Sequence, residues 1–278
     1  MGKLSHTWSL MGASSRVLKQ DKEILIFPLL SGICCLLVLA SFAIPIISNE
    51  SWELPEEDAS TQQQILYYGT LFLFYFCNYF VIVFFNSAVI ACAAIRMEGG
   101  DPTAGDGFRA ALSRLGLIFG WALVSATVGL ILRIIEDRSK AVGRIVAGLL
   151  GMAWTVVSFL VVPILVIERK DPISALKEST ILLKKTWGEQ LIGNFSFGLI
   201  FFLLNIPAII LVVLGFLSES TVILITCIIL AVIYLILIAL IQSALQAIFQ
   251  AAVYLYAREG EAPAGFEPDL LADSMVQK

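Results

Sequence analysis

Charge is scarce in this chain. Asp, Glu, Lys and Arg make up 14% of its 278 residues, against about 25% in a water-soluble domain. Hydrophobic residues make up 59%. A soluble fold of this length cannot bury so much apolar surface, so the bilayer is the natural solvent for most of the chain. The formal net charge of −4 lacks the basic excess that nucleic acid selects and argues against that partner. Histidine is nearly absent. His6 alone leaves no material for a His-based metal centre or a Ser-His-Asp triad. The five cysteines, Cys34, Cys35, Cys77, Cys92 and Cys227, all sit inside apolar runs. None has the paired spacing of a metal site or a disulfide framework, so they read as small hydrophobic side chains. No phosphate-binding loop, nucleotide fingerprint or pair of acids at catalytic spacing occurs. No cofactor and no enzymatic activity are expected.

What is present is a set of long apolar runs. A membrane-spanning helix needs about 20 mostly apolar residues, and six stretches qualify: 24–47, 65–95, 115–135, 145–167, 192–215 and 221–257. Unpaired backbone groups are too costly in hydrocarbon for anything but helices or closed barrels, and these runs are too long and continuous for barrel strands. The first run is longer than the core of a signal peptide and is preceded by 23 residues, so Ser41-Phe42-Ala43 reads as helix and not as a cleavage site. MGKLSH lacks the Ser or Thr of a myristoylation signal at its sixth position. Asn49-Glu50-Ser51 is a formal glycosylation sequon, relevant only in a eukaryotic secretory host.

Orientation follows from Lys and Arg near the membrane ends. With the N-terminus inside, fourteen of them fall on the cytoplasmic side and four, Arg133, Arg138, Lys140 and Arg144, on the outer side. The first outer loop carries five acids and no base. Both termini are therefore expected in the cytoplasm, with residues 258–278 as a cytoplasmic tail.

The even-numbered runs stop alike: IRMEGGDP at 95–102, IERKDP at 167–172 and AREGEAP at 257–263. Each joins Arg and Glu to a proline. A short amphipathic segment precedes each odd run: Leu4, Trp8, Met11 and Leu18 before the first, Phe108, Ala111, Leu112 and Leu115 before the third, Leu176, Ile181, Leu183 and Trp187 before the fifth. Basic residues on their other side suit a helix lying in the cytoplasmic interface, against anionic lipid headgroups. The expectation is a single membrane domain over 1–278, all-α, with six transmembrane helices as three hairpins. Each hairpin follows a short interfacial helix. The pseudo-repeats run over about 4–95, 103–167 and 173–257, all in one orientation, unlike the inverted repeats of many transporters.

SSRVLKQDKEILIFPLLSG, EGGDPTAGDGFRAAL, GRIVAGLLGMAW and LLKKTWGEQLIGN resemble a family of six-span membrane proteins known mainly from prokaryotes. The resemblance covers nearly the whole chain. It implies the six-helix architecture and a cytoplasmic or inner membrane location, and no activity. A fainter likeness, resting on the basic, proline-entered first hairpin, reaches membrane domains attached to glycerophosphodiester phosphodiesterases and sulfate-permease-like proteins.

Buried charge, the usual mark of an ion path, is essentially missing. Arg133 lies near its helix end, one turn from Glu136 and Asp137, where it can snorkel or pair. Uncharged polar residues are better candidates. Gln242, Gln246, Gln250 and Tyr254 recur every four positions on the sixth run. Asn78 and Asn86 lie eight apart on the second, and Asn194 and Asn205 lie on the fifth, ahead of the kinking Pro207. Such a stripe either bonds helices together or lines a solute path. About 21 apolar residues precede Gln242, so the stripe belongs near the cytoplasmic end, where bonding is the better reading. Small residues at four-residue spacing, Gly116 and Gly120, then Gly143, Ala147 and Gly151, are candidates for close helix packing within the monomer. Glu53, Glu56, Glu57 and Asp58 cluster in the first outer loop and read as a solvated loop, with weak divalent-cation binding as the rival.

The expected role is that of a non-enzymatic structural component that engages lipid or a membrane-protein partner. A permease or channel for a small solute is the alternative. The topology can be tested with single cysteines at Asp58 and Asp101 in a background lacking the native five. Asp58 should react with an impermeant thiol reagent in intact cells and Asp101 should not. Equal labelling would overturn the orientation or the helix count.

Overall fold

A computed structural model describes residues 3–48, 60–138, 142–186 and 197–266. Among them the chain is helical throughout, with no strand. A helix α1 (Lys3–Gln20) and a 3-10 turn (Lys22–Leu25) lead into α2 (Ile26–Ser48), which is followed by α3 (Thr61–Met97). Then come α4 (Ala104–Leu112), α5 (Leu115–Arg138), α6 (Val142–Val157), α7 (Val161–Ile167), α8 (Pro172–Thr186), α9 (Phe197–Leu217) and α10 (Thr221–Glu259). Six helical segments are long and apolar enough to cross a membrane: Lys22–Ser48, Thr61–Met97, Leu115–Asp137, Val142–Ile167, Ile200–Leu217 and Thr221–Glu259. The chain is a multi-pass membrane protein.

Two helices outrun the bilayer. The 37 residues of α3 and 39 of α10 extend well over 50 Å at about 1.5 Å per residue, against a hydrocarbon core of about 30 Å. Their burial divides accordingly. In α3 the buried residues begin at Val83 and run to Met97. In α10, apart from Ala231, they lie between Ala244 and Leu255. The first half of each helix is bathed by its surroundings, and the second halves meet in a core. There α3, α7 and α10 contact one another, and Ile90, Ile164, Leu165, Ile248 and Tyr254 are wholly buried. The protein thus has a packed end and an open end, where the spans leave apolar flanks exposed.

The three stops share one backbone geometry. Gly99 (φ 88°), Arg169 (φ 58°) and Gly260 (φ 76°) are all left-handed, and each stands three residues before a proline: Pro102, Pro172 and Pro263. A left-handed residue after the last turn closes a helix by satisfying its final carbonyls. The N–H groups of Gly100 and Gly260 accordingly donate to the Ile95 and Tyr256 carbonyls, both at 2.8 Å. Glycine suits this conformation because it has no Cβ to clash.

The short helices attach in a regular order. Helix α4 packs on α3, α8 on α7, and α1 on α10. Capping boxes start α3 (Ser60 with Gln63) and α4 (Thr103 with Asp106). Gly107 sets the approach of α4: a Cβ there would lie 2.8 Å from Cys92 Sγ and 2.5 Å from the Phe27 ring. The faces differ in detail from the sequence expectation. On α1 the buried stripe is Leu10, Ala13, Ser14 and Val17, with Met11 and Leu18, while Trp8 is 62% exposed. Leu112 on α4 and Ile181 on α8 are exposed too. Contact with the bundle selects the buried stripe here, and at least one bulky apolar side chain is left exposed on each short helix, two on α8 with Ile173. Trp187 and Asn194 lie outside the described residues.

Ion pairs and carbonyl caps tie the packed end. Asp21, buried between α1 and α2, accepts two hydrogen bonds from Arg96 at 2.5 Å, and Arg96 also pairs with Asp101. Arg114 donates to the Val166 carbonyl at the end of α7 and to the Ala110 carbonyl. Glu168 accepts from Lys170 and from the Tyr254 hydroxyl, and Lys170 reaches Glu178 at 2.5 Å. Burial works against the Glu168 charge, but Lys170 and Tyr254 together hold its carboxyl below the usual range. Residues 260–266 fold back over this end. Ala264 N–H donates to the Met97 carbonyl, Arg16 donates to the Gly265 carbonyl, and Phe266 is buried.

The fourth run, expected as one helix over 145–167, is broken between α6 and α7. Pro163 gives the reason. Inside a continuous helix it would leave the Phe159 carbonyl without a donor. After a break at 158–160 it falls in the first turn of α7, where no N–H is needed. The break frees the Val157 carbonyl and the Leu160 N–H, and one buried side chain serves both. Ser179 Oγ, on α8, donates to Val157 O at 2.7 Å and accepts from Leu160 N at 3.2 Å. Replacing Ser179 with Ala should therefore cost about 1–3 kcal/mol. Thr180→Ala, which removes only a bond to its own helix, should cost less. Thermal unfolding in a mild detergent compares them, and equal losses would remove Ser179 as the plug.

Candidate functional site

The glutamine face of α10 forms no hydrogen bond to Asn86 among the described residues. It borders a cavity of about 350 Å³ enclosed by α2, α3 and α10. From α10 come Ala239, Gln242, Ser243, Gln246, Ala247 and Gln250, at the spacing of one helical face. From α3 come Ile82, Phe85, Asn86 and Val89, again one face, and from the start of α2 come Pro28 and Ser31. Among the described residues none that lines this space is ionisable.

The cavity sits where the two levels of the molecule join. Its floor residues Pro28, Val89 and Ala247 are buried, while Ile82, Ala239 and Ser243 at its rim are exposed. One turn beyond the floor the packing closes, since Phe27, Ile90, Ala251 and Tyr254 are wholly buried. The space is a recess that backs onto the packed end.

The polar groups here are amides and hydroxyls, each able both to donate and to accept. Among the described residues no hydrogen bond joins Gln242, Gln246 or Gln250 to Asn86. Gln250 Oε1 is buried and accepts none at all. An unpartnered buried carbonyl is expensive, and such a group in a polar recess is the mark of a site that takes up water or a ligand. Bonding of the stripe directly to α3 was the sequence expectation. No such bond is formed among the described residues, and the amides line the recess.

Asn78 is not part of this site. It lies two turns from Asn86, about 12 Å along the axis, and donates to the carbonyl of Phe74 in its own helix. Asn205 does the same with Phe201. Ser31 and Ser243 belong to the site and went unremarked in the sequence. Ser243 could have been found beside Gln242. Ser31 lies on a distant helix, and only packing brings it in.

The small-residue candidates separate. Gly120 is a close contact, since a Cβ there would meet Pro172 at 3.0 Å. Gly151 makes an ordinary contact with Leu132, and Gly116 faces open space. Gly143 is buried and Ala147 half-buried on α6. Tighter approaches occur at Gly107, described above, and at Gly215, where a Cβ would lie 2.9 Å from Cys227. Arg133 pairs with Glu136 at 3.4 Å and Asp137 at 3.2 Å, as its place near the helix end suggests. The acidic cluster at Glu53–Asp58 lies outside the described residues.

The family model described as "Family of unknown function (DUF6159)" matches residues 65–266, and the chain belongs to that family. No curated protein and no solved structure matches the chain. The fainter likeness to glycerophosphodiester phosphodiesterase membrane domains is therefore without support.

Because Gln250 has no hydrogen bond to lose, Gln250→Leu should leave stability within about 0.5 kcal/mol or raise it. Denaturation in detergent tests this. A loss above about 1 kcal/mol would mean that the amide is bonded within the protein.

Proposed function

We propose that this member of a family of unknown function is a non-enzymatic component of the cytoplasmic membrane. In this reading it binds lipid or a membrane partner and neither transforms nor transports its ligand. Both termini lie in the cytoplasm, as the Lys and Arg bias favours. The observation that carries the reading is the convergence of Asn86, Gln242, Gln246 and Gln250 on a recess without an ionisable lining residue. Such a lining offers hydrogen bonds and no group for acid–base or nucleophilic work. Closure of the recess at the packed end favours holding over passage.

The short helices support the lipid part. Arg16, Lys19 and Lys22 are exposed beside α1, as are Arg109 on α4 and Lys177 and Lys184 on α8. Trp8, Leu112 and Ile181 extend from the same helices. Bulky apolar side chains beside basic ones suit a headgroup region containing anionic lipid. A permease is the second reading, favoured by the same recess, since a polar cavity among spans is also what a solute site requires.

One preparation separates them. The protein purified with native lipid should carry anionic lipid or a protein partner, and the same protein in sealed vesicles should pass no small neutral solute. Replacing Lys19 and Lys22 with Gln should weaken retention of anionic lipid by about 1 kcal/mol per charge. Solute flux that Gln246→Leu abolishes would establish the permease instead.

A further inference from the structure

We infer that the recess between α2, α3 and α10 binds a membrane lipid whose headgroup is an uncharged hydroxyl. The inference rests on the non-transport reading above and names its ligand. The chemistry of the lining selects the headgroup. Ser31, Asn86, Gln242, Gln246 and Gln250 supply neutral donors and acceptors. A phosphate or ammonium group placed there would have no counter-charge, and burying a charge unpaired is prohibitive. A hydroxyl meets both needs of the site. It donates to the buried, unpartnered Oε1 of Gln250 and accepts from a neighbouring amide N–H.

The mouth selects the source. The rim residues Ile82 and Ala239 are apolar and exposed and stand within the spanning helices. The recess therefore opens sideways toward acyl chains. Below it the packed end is closed. A volume of about 350 Å³ lies at the small end for a ligand pocket. It holds a headgroup and its first carbons, and the tails continue outside along the exposed residues Val232, Leu235 and Ile236, on the side of α10 that carries Ala239 and Gln242.

The full-length protein in mild detergent, titrated with dioleoylglycerol and observed by native mass spectrometry, tests this. A one-to-one adduct is expected, weakened about tenfold, or about 1.4 kcal/mol, by Gln246→Leu with Gln250→Leu. The exposed-rim variant Ala239→Trp fills the mouth without touching the core and should weaken it as well, which covers the case in which the double variant fails to fold. Phosphatidic acid with the same tails should not displace dioleoylglycerol, its own adducts depending on Lys19 and Lys22 and not on Gln246 and Gln250, and glycerol should not compete. Displacement of dioleoylglycerol by phosphatidic acid overturns the headgroup assignment. Competition by glycerol overturns the lipid source in favour of a water-borne polyol. Absence of the dioleoylglycerol adduct overturns the proposal even where vesicles remain impermeable, so this ligand and the non-transport reading fail separately.

Discussion

Every backbone N–H and C=O that enters hydrocarbon must find its partner inside the protein, and the remainder of this structure depends on that constraint. It makes each span a helix. It also dictates what happens where the helix fails. At 158–160 the helix breaks ahead of Pro163, and two backbone groups lose their helical partners. Ser179 answers both from a different helix. The docking of α8 on α7 is thereby joined to the integrity of a span. The same demand recurs at the helix ends, where left-handed residues, Arg114 and the tail residue Ala264 take up carbonyls that would otherwise face the packed end unbonded.

A second consequence is the division of the molecule into two levels. Lipid tails are as apolar as leucine, so no hydrophobic force drives the less buried halves of the spans together. Their flanks remain exposed, and α10 buries only Ala231 before Ala244. At the packed end the three short helices cover α3, α7 and α10, and apolar burial has a driving force again where water competes. Charge lies at this end, in the loops and where α5 meets α6 at the opposite end. Asp21 with Arg96, and Glu168 with Lys170 and Tyr254, fix the ends of helices that the core alone would allow to slide. A buried pair of this kind adds little net stability against an apolar replacement, but removing one partner is costly. It therefore acts on register more than on total stability.

The recess is a product of the transition between these levels. Helices that converge at one end and diverge at the other leave a wedge between them. In this protein the wedge between α2, α3 and α10 is lined with amides and hydroxyls. Polar side chains in a closed interface would have to bond one another. In an open wedge they remain available, which gives Gln250 Oε1 its unpartnered state and makes the recess a place where a neutral hydrogen-bonding group is held.

Much of this was legible in the amino-acid order, because the information is local. Continuous apolar runs declare spans, and EGGDP, ERKDP and EGEAP declare helix ends through charge and proline within a few residues, with glycine in two of the three. Gln242, Gln246 and Gln250 declare a shared face through the helical period alone. What the tertiary structure decided is whatever depends on the separation of helices remote in sequence. Periodicity places Asn78 and Asn86 on one helix alike, yet only Asn86 reaches the recess. Gly116 and Gly120 look equivalent, and only Gly120 meets a neighbour. Trp8 shares a turn with the buried stripe of α1 and points away from it. The glutamine face was readable as polar and inward, but whether it would touch α3 or stand off from it is set by the angle at which the helices diverge. That angle comes from how side chains far apart in the chain pack at the closed end, and no local pattern contains it.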